Sequence, residues 1–362
     1  MTEPPRQASL LELDQAELSA ILAELGAQPY RARQIWRSVH QRFVTDFEAM
    51  TDLPASLRAA LAQRLRIAPA ELVSELSNED GSTTKSLLRL DDGELVEAVL
   101  MRYDPFGRRR ARKTVCVSSQ AGCAMGCVFC ATGAQGYRRQ LSAGEMLLQV
   151  LQLGAVAEQE ASGLTNVVFM GMGEPLANYD ALNTALQRLS DPDGFAMSPR
   201  RITVSTVGLL PGIQRLGVDH PQVNLAISLH APDDALRKQL VPVPGASLGE
   251  LITAAHAHVS ATGRRVSFEY VLLAGLNDAP AQARALGVLL RGRNCHVNLI
   301  PINPSPGVVG ERPSRTATLA FQSALTEAGI GATVRVEKGR DILAACGQLR
   351  GDRVESGSEL LA

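Results

Sequence analysis

Residues 114–133 read TVCVSSQAGCAMGCVFCATG, and this stretch decides the fold. The short apolar run at its start reads as a strand that leads straight into a glycine-punctuated loop holding Cys123, Cys127 and Cys130. Three thiols spaced C-x3-C-x2-C leave a closed tetrahedral zinc site one ligand short. Zinc would need its fourth ligand from afar, from Cys116, Cys295, Cys346 or a histidine. A four-iron cluster needs no such help, because three thiolates leave one iron unligated by protein and open to a small molecule. Packing alone does not call for three thiols within eight residues among glycines.

Working outward, five more apolar runs follow the first: LTNVVFMG (164–171), RITVSTVG (201–208), VNLAISLH (223–230), RVSFEYVLL (265–273) and HVNLIPIN (296–303). Helical patterns separate them, which predicts parallel βα units of an α/β protein. Each run ends in polar or glycine residues, on the edge where α/β barrels carry their chemistry. Six units instead of eight predict an incomplete barrel, open on one side to a large substrate. The second run ends in GMGEP (171–175), where glycines let backbone approach a ligand and Glu174 can accept hydrogen bonds from an ammonium group. It is no dinucleotide fingerprint, since Leu176 stands where the third glycine belongs. A plain turn is the alternative.

Upstream, residues 9–66 carry apolar positions at helical spacing, interrupted near Gly26 and restarting after Pro29. The second of these helices holds Tyr30, Arg31, Arg33, Trp36, Arg37, His40 and Arg42 with no acid, an RNA-facing surface or an ordinary amphipathic helix with Trp36 in the core. Residues 72–103 alternate around Asp92-Gly93 as a hairpin. The expected layout is a helical RNA-binding domain (1–71), a small β connector with a basic strip (72–112), the partial barrel (113–349) and a tail (350–362).

The chain has 362 residues, 45% of them hydrophobic, enough to bury a large core. Its amino terminus lacks the basic start and apolar run of a signal peptide, and no apolar stretch is long enough to span a membrane. The expectation is a soluble cytoplasmic protein, a compartment in which six cysteines serve metal or catalysis in preference to standing disulfides. Net charge is −1, against a simple nucleic-acid coat, yet residues 101–140 hold eight arginines or lysines and one acid. Arg102, Arg108, Arg109, Arg110, Arg112, Lys113, Arg138 and Arg139 would guide a polyanion to the cysteine loop, or form a solvated face.

The cysteine loop after the first strand of six units resembles the radical S-adenosylmethionine (SAM) superfamily. There the amino and carboxylate groups of SAM chelate the open iron of a [4Fe-4S] cluster, and one electron cleaves the sulfonium to give a 5′-deoxyadenosyl radical. With VCVSSQAGCAMGCVFCATG, NVVFMGMGEP, ITVSTVG, AISLHAP, NLIPINP and the carboxyl-terminal DILAACGQL, the resemblance narrows to the adenine-C2 RNA methyltransferases (RlmN) and their C8-methylating relatives (Cfr), and it extends from the amino-terminal helices to about Leu349. It implies cluster ligands at Cys123, Cys127 and Cys130, and SAM contacts at Gly173, Glu174, Ser205, Ser228, Leu229, His230 and Asn303. It further implies a methyl-carrying Cys346, a partner Cys116 that closes a transient disulfide with it, and a proton acceptor at Glu97. LVPVPGASLG (240–249) and VRVEKGRD (334–341) depart from the commoner family wording without touching a named site. Read without the family, Cys116 is a packed strand thiol, Glu97 a solvent-facing strand residue, His230 a loop cap and Cys295 a packing residue.

Adenine C2 is electron-poor and the methyl of SAM is electrophilic, so direct displacement is mismatched. A thiolate can take the methyl from one SAM. A second SAM, cleaved at the cluster, removes hydrogen from that methyl, and the methylene radical adds to C2. The resemblance implies 23S rRNA and tRNA as partners; an external electron donor and a monomeric chain are further expectations. C8 methylation, or a non-catalytic zinc-containing RNA-binding protein, are the alternatives.

Overall fold

A computed structural model describes residues 7–105, 110–160, 163–243, 245–305, 307–335 and 338–351. Arg108 and Arg109 of the basic strip, and residues 352–362 of the tail, lie outside the described residues.

Three helices open the chain. Asp14 caps α1 (Gln15–Glu24) in a reciprocal capping box with Glu17, and the chain leaves the helix through Gly26 at φ +66°. Pro29 starts α2 (Tyr30–Arg42) and Pro54 starts α3 (Ala55–Arg64). Apolar spacing puts Ile35, Trp36 and Val39 of α2 inside, so Trp36 is a core residue and the ordinary amphipathic reading holds for it. Arg33 and Arg37 on the outer face both grip Asp193, at 2.9 and 2.6 Å.

The rest is built on a ten-stranded sheet whose strands lie side by side in sequence order. Strands β1 (Glu71–Ser77), β2 (Thr83–Arg89) and β3 (Leu95–Tyr103) are antiparallel, and the β2–β3 hairpin turns at Gly93, φ +93°. β3 then pairs antiparallel with β4 (Arg112–Cys116), so the hairpin is hydrogen-bonded into the barrel sheet.

From β4 onward every pairing within this sheet is parallel: β5 (Asn166–Phe169), β6 (Ile202–Thr206), β7 (Asn224–Ser228), β8 (Val266–Leu272), β9 (Cys295–Pro301) and β10 (Ala332–Val334). The six expected strands are β4 to β9. Three-residue β10 adds a seventh that its short sequence does not announce. A short helix α4 (Ala131–Gln135) follows the cysteine loop, and α5 (Ala143–Glu158), α6 (Tyr179–Ser190) and α7 (Leu210–Asp219) fill the next connections. α8 (Asp234–Leu240), α9 (Leu248–Thr262), α10 (Pro280–Leu290) and α11 (Arg315–Glu327) fill the remaining ones. Val115, Val167, Val204, Ile227, Phe268 and Val297, one from each expected strand, are buried in one core.

The basic strip is only partly free. Arg102 and Lys113 share Glu160, and Arg139 pairs with Asp92 and Glu145. Glu160 and Asp92 are distant in sequence from the cations they pair with, so charge counting along the chain could not anticipate those pairs. Among the described residues no helix is long and apolar enough to cross a membrane.

Candidate active site

One cavity opens at the carboxyl-terminal edge of β4 to β9, with about 1460 Å³ of empty space when its open mouth is counted. Cys116, Cys123, Cys127, Cys130, Gly173, Glu174, Ser205, Ser228, His230, Asn303 and Cys346 all line it. Glu97 and Leu229 do not: Leu229 is buried in the core, its N–H donating to the carbonyl of Glu269, and Glu97 lies sealed beneath the carboxyl-terminal segment.

The cysteine loop is shaped by its glycines. A ribbon of Gln120–Gly122 against Tyr137–Gln140 closes it, and at Gly122 (φ +73°) a Cβ would stand 2.0 Å from the carbonyl oxygen of Gly136. The three thiols sit in apolar surroundings where none ionises readily. Burial pushes Cys123 up to about 11; burial, then the neighbouring thiols, pushes Cys127 up, and burial does the same to Cys130. A cationic iron–sulfur core relieves that penalty, since it pairs each thiolate with positive charge. Three thiols on one loop are a donor set that suits a four-iron cluster with one iron left open.

Glu174 ties the floor together. Its Oε1 accepts the N–H of Leu176 at 3.0 Å and its Oε2 that of Val207 at 2.8 Å, while burial pushes the carboxyl up to about 7. Gly173 before it has φ +98°, and a Cβ there would fall 2.5 Å from Cβ of Gln120. His230 occupies φ +63°, and its Nδ1 accepts the Val271 N–H at 3.0 Å, which places the remaining proton on Nε2. Burial holds this imidazole down to about 3, so it is neutral.

Across the cavity lies the segment 338–351 with Cys346. The Asn303 side-chain amide donates to the backbone carbonyl of Cys346 at 3.3 Å. Cys346 is exposed; Cys116 is buried and pushed up to about 12, chiefly by that burial. All six cysteines are free thiols, so the Cys116–Cys346 disulfide is not a standing bond.

Residues 8–67 match the ribosomal RNA large subunit methyltransferase N-terminal domain, and residues 117–285 the radical SAM superfamily. The chain is 45% identical over 341 residues to the ribosomal RNA large subunit methyltransferase N of Nitrosopumilus maritimus, covering 93% of this chain and 97% of that one. It is 48% identical to the probable dual-specificity RNA methyltransferase RlmN of Moorella thermoacetica, covering 92% and 94%. The chain belongs to the RlmN family. A crystal structure of a radical SAM methyltransferase from Sphaerobacter thermophilus superposes with a TM-score of 0.90 at 49% identity, covering 95% of this chain and all of that one.

Two charged residues of this RlmN-family cavity, Glu269 and Arg335, and one behind it, Lys85, are not announced by the sequence. Glu269, only 5% exposed, is held by the Asn298 amide at 2.8 Å and faces Arg335 at 3.6 Å; burial pushes its carboxyl up. Arg335 reaches the Cys346 sulfur. Lys85 pairs with Glu97. Each stands in an apolar strand or a loop, where a lone charge reads as solvent-facing; only their partners from distant segments reveal them.

Proposed function

We propose that the chain methylates C2 of an adenosine in RNA, with 23S rRNA and tRNA as substrates, using two SAM and a methyl-cysteine on Cys346. The observation that carries this is the single cavity that brings the three-thiol loop together with an exposed thiol, Cys346, and a buried one, Cys116. A [4Fe-4S] cluster on Cys123, Cys127 and Cys130 supplies, with SAM and an external electron donor, the one-electron cleavage of the sulfonium.

The chain's own residues do the rest. Gly173 lets backbone approach SAM, Glu174 receives its ammonium group, and Ser205, Ser228, His230 and Asn303 complete its contacts, while Leu229 packs behind them in the core. The Cys346 thiolate takes the methyl of the first SAM, leaving S-adenosylhomocysteine. The 5′-deoxyadenosyl radical would take a hydrogen atom from that S-methyl to give 5′-deoxyadenosine, the S-methylene radical would join C2, and Glu97 would accept the C2 proton as one electron passes from the adduct back to the oxidised cluster. The Cys116 thiolate then attacks the Cys346 sulfur, the C–S bond breaks with its electron pair on carbon, and that carbon takes a proton to become the methyl. The Cys116–Cys346 disulfide is reduced by an external dithiol, which suits a cytoplasmic setting. The target base leaves its stack to reach the cavity, and the amino-terminal helices dock the RNA.

Chromatography and mass spectrometry of nucleosides from RNA incubated with anaerobically reconstituted protein test this reading. 2-Methyladenosine is expected; 8-methyladenosine would move the chain to the sister branch, and no methylated adenosine would overturn the proposal.

A further inference from the structure

Glu97 has no oxygen to spare. Oε1 lies 2.8 Å from Nζ of Lys85, and Oε2 accepts the backbone N–H of Arg350 at 2.6 Å and of Gly351 at 3.3 Å. Both side chains are all but removed from solvent, at 4% and 2% exposure. The same Lys85 Nζ donates to the backbone carbonyl of Leu343 at 3.2 Å. One ion pair therefore grips the segment 338–351 on both sides of Cys346, through Leu343 before it and Arg350 and Gly351 after it.

Other ties of that segment run to the three-cysteine loop and to the loop that follows β9. The Ala131 N–H donates to the carbonyl of Gly347 at 2.7 Å, the Thr132 hydroxyl to that of Leu349 at 2.6 Å, and the Gln348 amide to that of Pro304 at 3.0 Å. Gly351, at φ +69°, packs so closely that a Cβ would stand 2.7 Å from the Leu95 carbonyl oxygen. Lys85 and Glu97 are diagonal neighbours on β2 and β3, where Lys85 faces Val99 and Glu97 faces Leu87. Val99, Met101 and Tyr103, on the same face of β3 as Glu97, line the cavity, so Glu97 points to the reaction side but is capped by the segment.

We infer that Lys85 is a positioning residue: it holds Glu97 and the Cys346 segment as one latched unit, so that Glu97 is free to act as a base only after the segment releases it at Arg350 and Gly351. This rests on the roles proposed above for Glu97 and Cys346. A buried carboxylate is tolerated only when paired and hydrogen-bonded, so removing Lys85 leaves Glu97 uncompensated and loosens the segment it binds. The latch also orders the steps. Cys346 is loaded with its methyl while Glu97 is occupied, and proton removal waits until the covalent link to the RNA base draws the segment away.

The test compares full-length wild type, Lys85→Met and Lys85→Arg without RNA, by amide hydrogen–deuterium exchange resolved to Arg350 and Gly351. Lys85→Met should speed exchange at these amides about tenfold or more, with strands β5 to β9 unchanged and Lys85→Arg restoring slow exchange. In reconstituted protein, methyl loading of Cys346 read by intact mass should fall in Lys85→Met and recover in Lys85→Arg while SAM cleavage persists. Equal exchange at Arg350 and Gly351 in wild type and Lys85→Met would overturn the latch. So would a uniform rise across β5 to β9, which marks plain core support. If Lys85→Met does not fold, Glu97→Gln gives the same reading of the two amides from the other side of the pair. Wild type that never carries a methyl on Cys346 would count against the proposed function and leave the exchange comparison to decide the latch.

Discussion

Nη1 of Arg335 lies 3.9 Å from Sγ of Cys346, and the Cys346 sulfur is the largest of the influences that hold this guanidinium above its ordinary pKa. A cation beside the exposed thiol favours its attack on the SAM methyl, and Glu269 at 3.6 Å keeps the cation in place. Arg335→Gln should slow methyl loading of Cys346 by about tenfold to a hundredfold, with Arg335→Lys in between. Time-resolved intact mass with SAM reads this directly, and an unchanged loading rate in Arg335→Gln would remove Arg335 from the site.

Each of Cys123→Ala, Cys127→Ala and Cys130→Ala should lose the brown colour and the roughly four irons of the cluster, along with SAM cleavage, while circular dichroism shows a folded chain. A variant that keeps full iron and sulfide content would break the ligand assignment.

His40 makes the amino-terminal helices acid-sensitive. Burial holds its imidazole down to about 4, with Nδ1 bonded to the Trp36 carbonyl at 2.8 Å and the ring edge-on to Phe195. The unfolded imidazole takes its proton near 6.5, so between about pH 4 and 6.5 the unfolded chain binds more protons. The stability His40 confers is complete above 6.5 and is lost as pH falls towards 4, a loss of about 3 kcal/mol. His40→Gln should flatten that part of the stability profile in urea unfolding; a profile as steep as wild type would contradict the assignment.

Gly173→Ala should destabilise the site by about 2 kcal/mol or more, because the residue would need φ near +98° and its Cβ would collide with Gln120. Thermal unfolding and SAM binding read the two effects together. A variant with wild-type stability would mean the loop can move aside.

Much of this was readable along the chain because it is local. The six apolar runs, the Asp92-Gly93 turn, the breaks near Gly26 and Pro29 and the cysteine spacing each fix their own neighbourhood, and they became β4 to β9, the β2–β3 hairpin, the bounds of α1 and α2, and the three-cysteine loop. What escaped is non-local. β10 is three residues long and exists as a strand only because β9 offers an edge. Glu97, read without the family as solvent-facing, is buried because Lys85 and the backbone of Arg350 arrive to pair with it. Arg102, Lys113 and Arg139 read as a basic strip until the fold brings Glu160 to the first two and Asp92 to the third.

The central claim, that Cys346 carries the methyl to RNA and Cys116 releases it, is tested most directly by a denaturing gel of Cys116→Ala protein incubated with RNA and SAM. Loading and addition to the base remain intact in this variant, but no thiol resolves the adduct. A slow, nuclease-sensitive band of protein bound to RNA should accumulate, and adding Cys346→Ala should abolish it. Normal turnover by Cys116→Ala with no such band would contradict the account, return Cys116 to a packed strand thiol and leave the release step to another group.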